Sequence, residues 1–498
     1  MKYLKFALLF ATIGIQAQQV DLTWAEKIKT RKNVVVLGGL KGNYYTGHAD
    51  TDNHLVCRKY NSNMEMVSEK AVPFELDEKR YSLRQSLFID NKIVHIIEER
   101  KRKEDKYQLL AAFTDLDLNT NDKTLIIDEI TEKELTSTFG DTYISPDSTK
   151  VLVFHEKSGK KKEPSRLSLK VYSSDFKSMM LDKIVEIPIR DRDFSTKSIS
   201  VDNLGNVYVL ANVFRGKKER VKGQSATYYK LIAFEKGSGA PKEFDFDFLD
   251  QDISSIDIIP SKNNTLICTG FVSDVEAKFL SKRVSNVSDE MFSTVIDCNN
   301  LDIVSKFKVQ VPGLYPEKVR KSQDFVPYKV RDIFPKEDGG YIAVAEQYKL
   351  VIITTTTPNG GTTTRYKYYY CDIACMSVDK AGNLESITKV PKYQMNAENP
   401  SIMSTYVNGN TYIVYEDLTK NVDAYEDKDQ KRSTKQLFSS GGKNSLFLLT
   451  IGPDGTPKKE IIYDYKDSKL RPRILTSKLI NPSTIVLNAD DQIGKLTF

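Results

Sequence analysis

Apolar residues fall at alternate positions through most of the chain, in runs of five to eight residues broken by Asn, Asp, Gly, Pro and Lys. Period-two alternation sends successive side chains to opposite faces of an extended strand, so it predicts an all-β protein of antiparallel hairpins with little helix. One hairpin, first seen at 86–98, recurs. Its second strands begin at Lys92, Lys150, Asn206, Asn264, Gly340, Asn410 and Ser483, at spacings of 58, 56, 58, 76, 70 and 73 residues. The turns before them, such as Ser145-Pro146-Asp147-Ser148 and Asp202-Asn203-Leu204-Gly205, carry residues suited to reversing the backbone. A second kind of hairpin lies between these, at 54–73, 109–129, 167–186, 229–246, 292–311, 372–392 and 444–464. The two kinds alternate, and the chain opens on the second kind and closes on the first. The two ends are therefore complementary halves of one more unit.

A four-stranded sheet buries both faces only between neighbours, and a radial arrangement supplies every sheet with two. The expected fold is a β-propeller over 33–498, taken as seven four-stranded blades with one blade completed by strands from both termini. Further strand-like segments at 33–40 and 493–498 leave six or eight blades compatible with the pattern. An open solenoid would leave the terminal half-units unpaired, and a pair of β-sandwiches would need a linker that the sequence lacks. Ser145-Pro146-Asp147 resembles a turn of the WD-repeat-like propellers of the periplasmic Tol system, although it occurs once. No Trp-Asp dipeptide, kelch signature or sialidase-type Asp-box recurs. The resemblance implies the propeller class and transfers no activity.

Residues 1–18 follow a different pattern. Lys2 and Lys5 precede an apolar stretch over 6–15, followed by Gln16 and Ala17, which is the layout of a secretory signal, too short to span a bilayer. The run from Ile15 to Gln19 resembles the signal ends of secreted Bacteroidota proteins. The expected location is the periplasm or the exterior, with 19–32 as an N-terminal segment ahead of the propeller. No later apolar run is long enough for a transmembrane anchor. Five cysteines remain, an odd number that excludes a dense disulfide framework. Cys371 and Cys375 share one strand about 13 Å apart, too far to bridge. All five are expected to be buried apolar residues.

The chain has 73 basic and 67 acidic residues, too even a balance for a nucleic-acid specialist. Their distribution is less even. In a four-stranded antiparallel blade the second turns of all blades share one face. Three successive second turns, at 100–106, 156–166 and 214–222, together hold fifteen basic and five acidic residues. Arg100, Lys101, Arg102, Lys103, Lys160, Lys161, Lys162, Arg215, Lys217 and Lys218 would thus form a positive sector able to attract a polyanion. The plainer reading is that Lys-rich loops keep exposed turns soluble. At the same end, the seventh residue of the second strand is Glu98, Glu156, Glu346 or Glu416 in four units. Such carboxylates could line the channel mouth, or could simply bond neighbouring backbone.

Two apparent metal patterns are set aside. His48, Asp50, Asp52 and His54 match no standard ligand spacing, and Asp115-Leu116-Asp117-Leu118-Asn119 lacks the glycine and terminal acid of a calcium loop. A Thr-rich segment at 354–364 predicts a long projecting hairpin, and 419–443 a charged insertion. No cofactor, metal or reaction is indicated. The leading expectation is a monomeric binding or scaffolding propeller that engages a protein or anionic polymer through loops on one face. The alternatives are a carbohydrate-active enzyme using the mouth carboxylates, and a structural component of the cell envelope.

Overall fold

A computed structural model describes residues 20–498 apart from 29–33, 51–53, 74–80, 158–162, 238, 275–276, 280–281, 285–289, 316–325, 357–358, 396–400, 427–442, 467–469 and 490. Residues 1–19, on which the expected leader falls, and most of the charged insertion lie outside the described residues. Eight antiparallel sheets, each with a path of four strands, follow one another along the chain; the sixth gains a short fifth strand, Gln394–Met395, and a small two-stranded sheet lies within the fifth. Blades 1 to 7 occupy 35–72, 81–131, 141–190, 194–246, 251–310, 328–390 and 402–464. Blade 8 is built from both ends. Lys478–Asn481, Thr484–Asn488 and Ile493–Thr497 supply three strands, and Asp21–Trp24 pairs with Ile493–Thr497 as the fourth.

Each second strand is apolar on both sides because both sides are buried. In Val207–Phe214, Val207, Val209, Ala211 and Val213 pack towards blade 3, whereas Tyr208 and Leu210 pack towards blade 5. Eight hydrophobic clusters each join one blade to the next. They include a cluster between blades 7 and 8, and one in which Val486 and Ile493 of blade 8 meet Val36, Tyr44 and Tyr60 of blade 1. With no seam left open, the ring is closed and the chain is a β-propeller.

First strands of neighbouring blades lie against one another and so form the central wall. Polar bonds supplement that contact. Thr142 Oγ1 donates to Gln85 Oε1 (2.7 Å), Val330 N to Ser255 Oγ (3.0 Å), and Lys478 Nζ to the Leu37 carbonyl (2.6 Å).

Closure through both termini is as the hairpin pattern predicts, but the sheets number eight rather than seven. The hairpin at 54–73 does not share a blade with the C-terminal strands. It has its own first hairpin, Val35–Leu40 and Asn43–Ala49, whose period is disturbed by a bulge between Val36 and Gly38. The C-terminal half-unit is completed instead by Ile493–Thr497 and by the four-residue strand Asp21–Trp24.

All five cysteines are free and buried, and burial pushes the thiols of Cys57, Cys298 and Cys375 up to about 12. A thiol reagent such as Ellman's is therefore expected to find essentially no reactive group in the native protein and all five after denaturation. Rapid native labelling would mean that the seams holding these residues open readily.

Candidate functional site

The second strands of blades 2, 3 and 4 end at the same end of the ring, so the described parts of the three basic segments lie on neighbouring blades there. Blade 2 turns through a short 3-10 segment, Arg102–Glu104, with Asp105 in the left-handed region at φ 50°. The cations at the base of this loop are tied down. Arg100 pairs with Glu132 at 2.6 Å and lies over the Tyr107 ring, Lys101 pairs with Glu99 at 2.9 Å, and Lys106 pairs with Glu129 at 2.8 Å. Arg102 and Lys103 stand exposed at the tip.

Blade 4 repeats this division. Arg215 donates to the Ser225 carbonyl (3.1 Å), pairs with Asp247 and lies 5.0 Å from the Tyr228 ring centre, while Glu219 accepts from Gly216 N at 2.8 Å. The loop is ordered from its base, with Lys217, Lys218 and Lys222 exposed. In blade 3, Lys157 pairs with Glu134 at 3.5 Å; Lys160, Lys161 and Lys162 lie outside the described residues.

The recurring carboxylates have separate environments. Glu98 accepts from Arg84 Nε at 2.9 Å. Glu346 is fully buried, with Arg331 Nε at 2.9 Å, Lys392 Nζ at 2.5 Å and Ser401 Oγ at 3.0 Å. Glu416 is also buried, receiving bonds from Asn444 Nδ2 (2.8 Å) and the Tyr465 hydroxyl (3.4 Å). Glu156 is partly exposed near Asp141, whose acidity is weakened by burial and by Glu156, against the opposing pull of Arg84. An open ring of four carboxylates is therefore not what the positions form; Glu346 in particular is sealed inside the seam between blades 6 and 7. Blade 5 has Gly270 at this position, where a Cβ would collide with the Ser255 carbonyl.

Arg84 and Arg331 were not foreseeable as partners. Each is the extra residue of a first-strand bulge, between Leu83 and Gln85 and between Val330 and Asp332, and Lys197 occupies the same place in blade 4. A bulge changes the alternation by one residue and is visible only once the partner strand is known. Lys329 lies beside these cations and donates to the Ser254 carbonyl; burial, with Arg331 and Lys197 nearby, pushes it down to about 8.

His54 Nδ1 lies 3.2 Å from Asp50 Oδ2 in a turn of blade 1, and Asp52 lies outside the described residues. Asp115 accepts from the backbone of Asp117 and Asn119 and from the Asn119 side chain, which makes its segment a self-capped turn. No group of metal-ligating side chains occurs among the described residues.

No family model and no curated protein matches the sequence. Similar solved structures include the WD40 domain of SCAP from fission yeast, with 9% identity, TM-score 0.37, and coverage of 96% of this chain and 98% of that one. The β-propeller domain of the Trilobed protease from Pyrococcus furiosus, described as having an open velcro topology, has 12% identity and TM-score 0.35, covering 90% and 97%. A GH43 endo-arabinanase from Bacillus licheniformis has 12% identity and TM-score 0.26, covering 57% and 99%. At these scores the likenesses bear no functional weight. Among the described residues no helix is long and apolar enough to cross a membrane.

Proposed function

We propose that this propeller acts outside the cytoplasm as a binding module, and that the second-turn loops of blades 2 to 4 engage an anionic polymer. The leader-like pattern at 1–18 supports export. The observation that carries the binding reading is the division of labour within the loops. Arg100, Lys101 and Arg215 are spent on ordering the loop bases, while Arg102, Lys103, Lys217, Lys218 and Lys222 are held at exposed tips. Cations on preordered loops lose less conformational entropy when they meet a charged chain. Solubility alone would be served equally well by Lys and Arg scattered among acids. The enzymatic alternative is weakened by the sealing of Glu346 and the pairing of Glu98 with Arg84.

Heparin serves as the polyanion probe. Reversing Lys160, Lys161, Lys162, Lys217 and Lys218 to Glu is expected to weaken heparin binding by about tenfold or more and to flatten its salt dependence. Reversing exposed Lys177 and Lys262, on turns at the opposite end, should leave it unchanged. Equal losses from both sets would reduce the effect to net charge, and the proposed face would be abandoned.

A further inference from the structure

Blade 6 carries a feature that the polyanion reading does not use. Its middle strands, Tyr341–Thr356 and Thr362–Val378, run far beyond their neighbours. Among the described residues the first strand of the blade pairs as far as Gln347, and the last backbone bond on that side runs from Tyr348 N to the Pro327 carbonyl at 3.0 Å. On the other side, Leu384–Val390 stops at Ile373, and Gln394–Met395 covers only Tyr369 and Tyr370. Past these limits, Leu350 to Thr356 pair rung by rung with Tyr368 to Thr362 as a two-stranded ribbon. Because it continues the second and third strands, the ribbon leaves the same end of the ring as the basic loops.

A lone two-stranded ribbon is marginally stable in water and needs a third strand or a packed face. One face of this ribbon carries Leu350 and Ile352 opposite Tyr368 and Tyr366, with exposures of 38%, 58%, 38% and 53%. Among the described residues no strand pairs with the outer edge of the first ribbon strand, which reads Leu350-Val351-Ile352-Ile353-Thr354-Thr355-Thr356. It is uncharged and β-branched at six of seven positions, with no proline or bulge to discourage pairing.

We infer that this edge is an interface with a second copy of the same chain, joined antiparallel about a two-fold axis into one four-stranded sheet. Charge selects both the occupant and the edge. The run offers no charge to recognise an acidic or basic partner, and an equally uncharged, β-branched strand is what the chain itself supplies. Self-pairing through the other ribbon edge would bring the Arg365 and Lys367 rows of two copies together, whereas the 350–356 edge has no such conflict. With Ile352 opposite Ile352 of the second copy, Leu350 faces Thr354, and both apolar stripes lie on one side of the joined sheet. Antiparallel joining places the rings at opposite ends of that sheet, with basic faces turned towards each other. An overlap of seven residues keeps them about 23 Å apart, more than twice the screening length at physiological salt, so their repulsion does not prevent association. This arrangement differs from the monomer that the sequence alone leads one to expect.

Sedimentation equilibrium on the purified protein over about 1–100 μM, the range for a small interface, is expected to show two-chain species. Ile352→Lys and Ile352→Glu should each give single chains with unchanged thermal melts, because like charges would face each other across the axis. Ile126→Lys, equally exposed on the outermost strand of blade 2, should remain two-chain. Mixing the Ile352→Lys and Ile352→Glu proteins should restore pairing, which a misfolded arm could not do. A single-chain wild type, a two-chain Ile352→Lys protein, or a mixture that fails to associate would each overturn the inference.

Discussion

Replacing Glu346 with leucine is expected to destabilise the ring by about 3–5 kcal/mol, read as an earlier first transition in urea denaturation. The size follows from what the substitution leaves behind. Lys392 is fully buried and its ammonium faces Glu346 Oε1 at 2.5 Å, so without the carboxylate a cation is stranded in the seam. Its other hydrogen-bond partners, Gln394 Oε1 at 2.9 Å and the Tyr370 carbonyl at 3.5 Å, are neutral, and the remaining nearby carboxyl, Asp417, makes no bond to it and is itself pushed up to about 6 by burial. Gln394 also donates to the Glu416 carbonyl at 2.7 Å and accepts from Ser401 N at 3.0 Å. The network therefore ties blade 6 to blade 7, and its loss weakens a joint of the ring.

A double variant separates the stranded charge from the lost contacts. Glu346→Leu with Lys392→Met removes both charges and should recover most of the lost stability, since an apolar pair can replace a buried ion pair at little cost. Arg331 is left without its carboxylate in both variants, but its side chain retains 27% exposure and can turn towards solvent. A single variant less than about 1 kcal/mol below wild type would show that Lys392 finds another partner or loses its proton without difficulty. The rings of Tyr348 and Tyr370 flank Arg331 at 5.3 and 5.7 Å, so the same substitution should also loosen the base of the arm.

The parts of this molecule that could be read from sequence are those written in local alternation. Val207–Phe214 shows in eight residues that both its faces are buried, and similar runs in the other blades give the hairpin repeat directly. Closure through both termini was legible, although not the strands that make it: the 54–73 hairpin has its own partner at 35–49, and the closing strand is Asp21–Trp24. The count was not, since Val35–Leu40 carries two adjacent glycines and a bulge, and Asp21–Trp24 is too short to assert a period. Loop charge was visible in composition, but its neutralisation was not. Glu132 and Glu134, which pair with Arg100 and Lys157, belong to the connection from blade 2 to blade 3 and are distant in sequence from the loops they balance. The same limit applies to Glu346. Its recurring position was evident, but Lys392 comes from a segment 46 residues away and Arg331 from a bulge. Partners chosen by tertiary packing leave no local mark.

The second large effect concerns closure. Substituting cysteine for Thr23 and Lys495 is expected to produce a disulfide under oxidising conditions and to raise stability by about 3–5 kcal/mol over the reduced form. The two residues are directly opposite in the antiparallel pair of Asp21–Trp24 with Ile493–Thr497. Opposed residues in such a pair have Cα atoms about 4.5–5.5 Å apart, within the span of a disulfide. The gain is large because the cross-link closes almost the whole chain into one loop and removes entropy from the unfolded state. Without it, closure rests on the four-residue ladder and the contacts around it: Ala25 N and Ile28 N donate to the carbonyls of Ile493 and Asp491 at 2.9 and 2.7 Å, Gln492 Nε2 donates to the Ala25 carbonyl at 2.5 Å, Lys27 pairs with Asp491 at 2.5 Å, and Trp24 lies over Gly494. A Cβ at Gly494 would come within 2.7 Å of the Trp24 ring, so Gly494→Val should oppose the same joint from the other direction. Gel mobility with and without reductant checks the cross-link, and paired urea titrations give its stabilisation. Absence of the bond in folded, oxidised protein would place the two ends in different sheets. The eighth blade would then lack its outer strand, and the Ile493–Thr497 edge would be left bare.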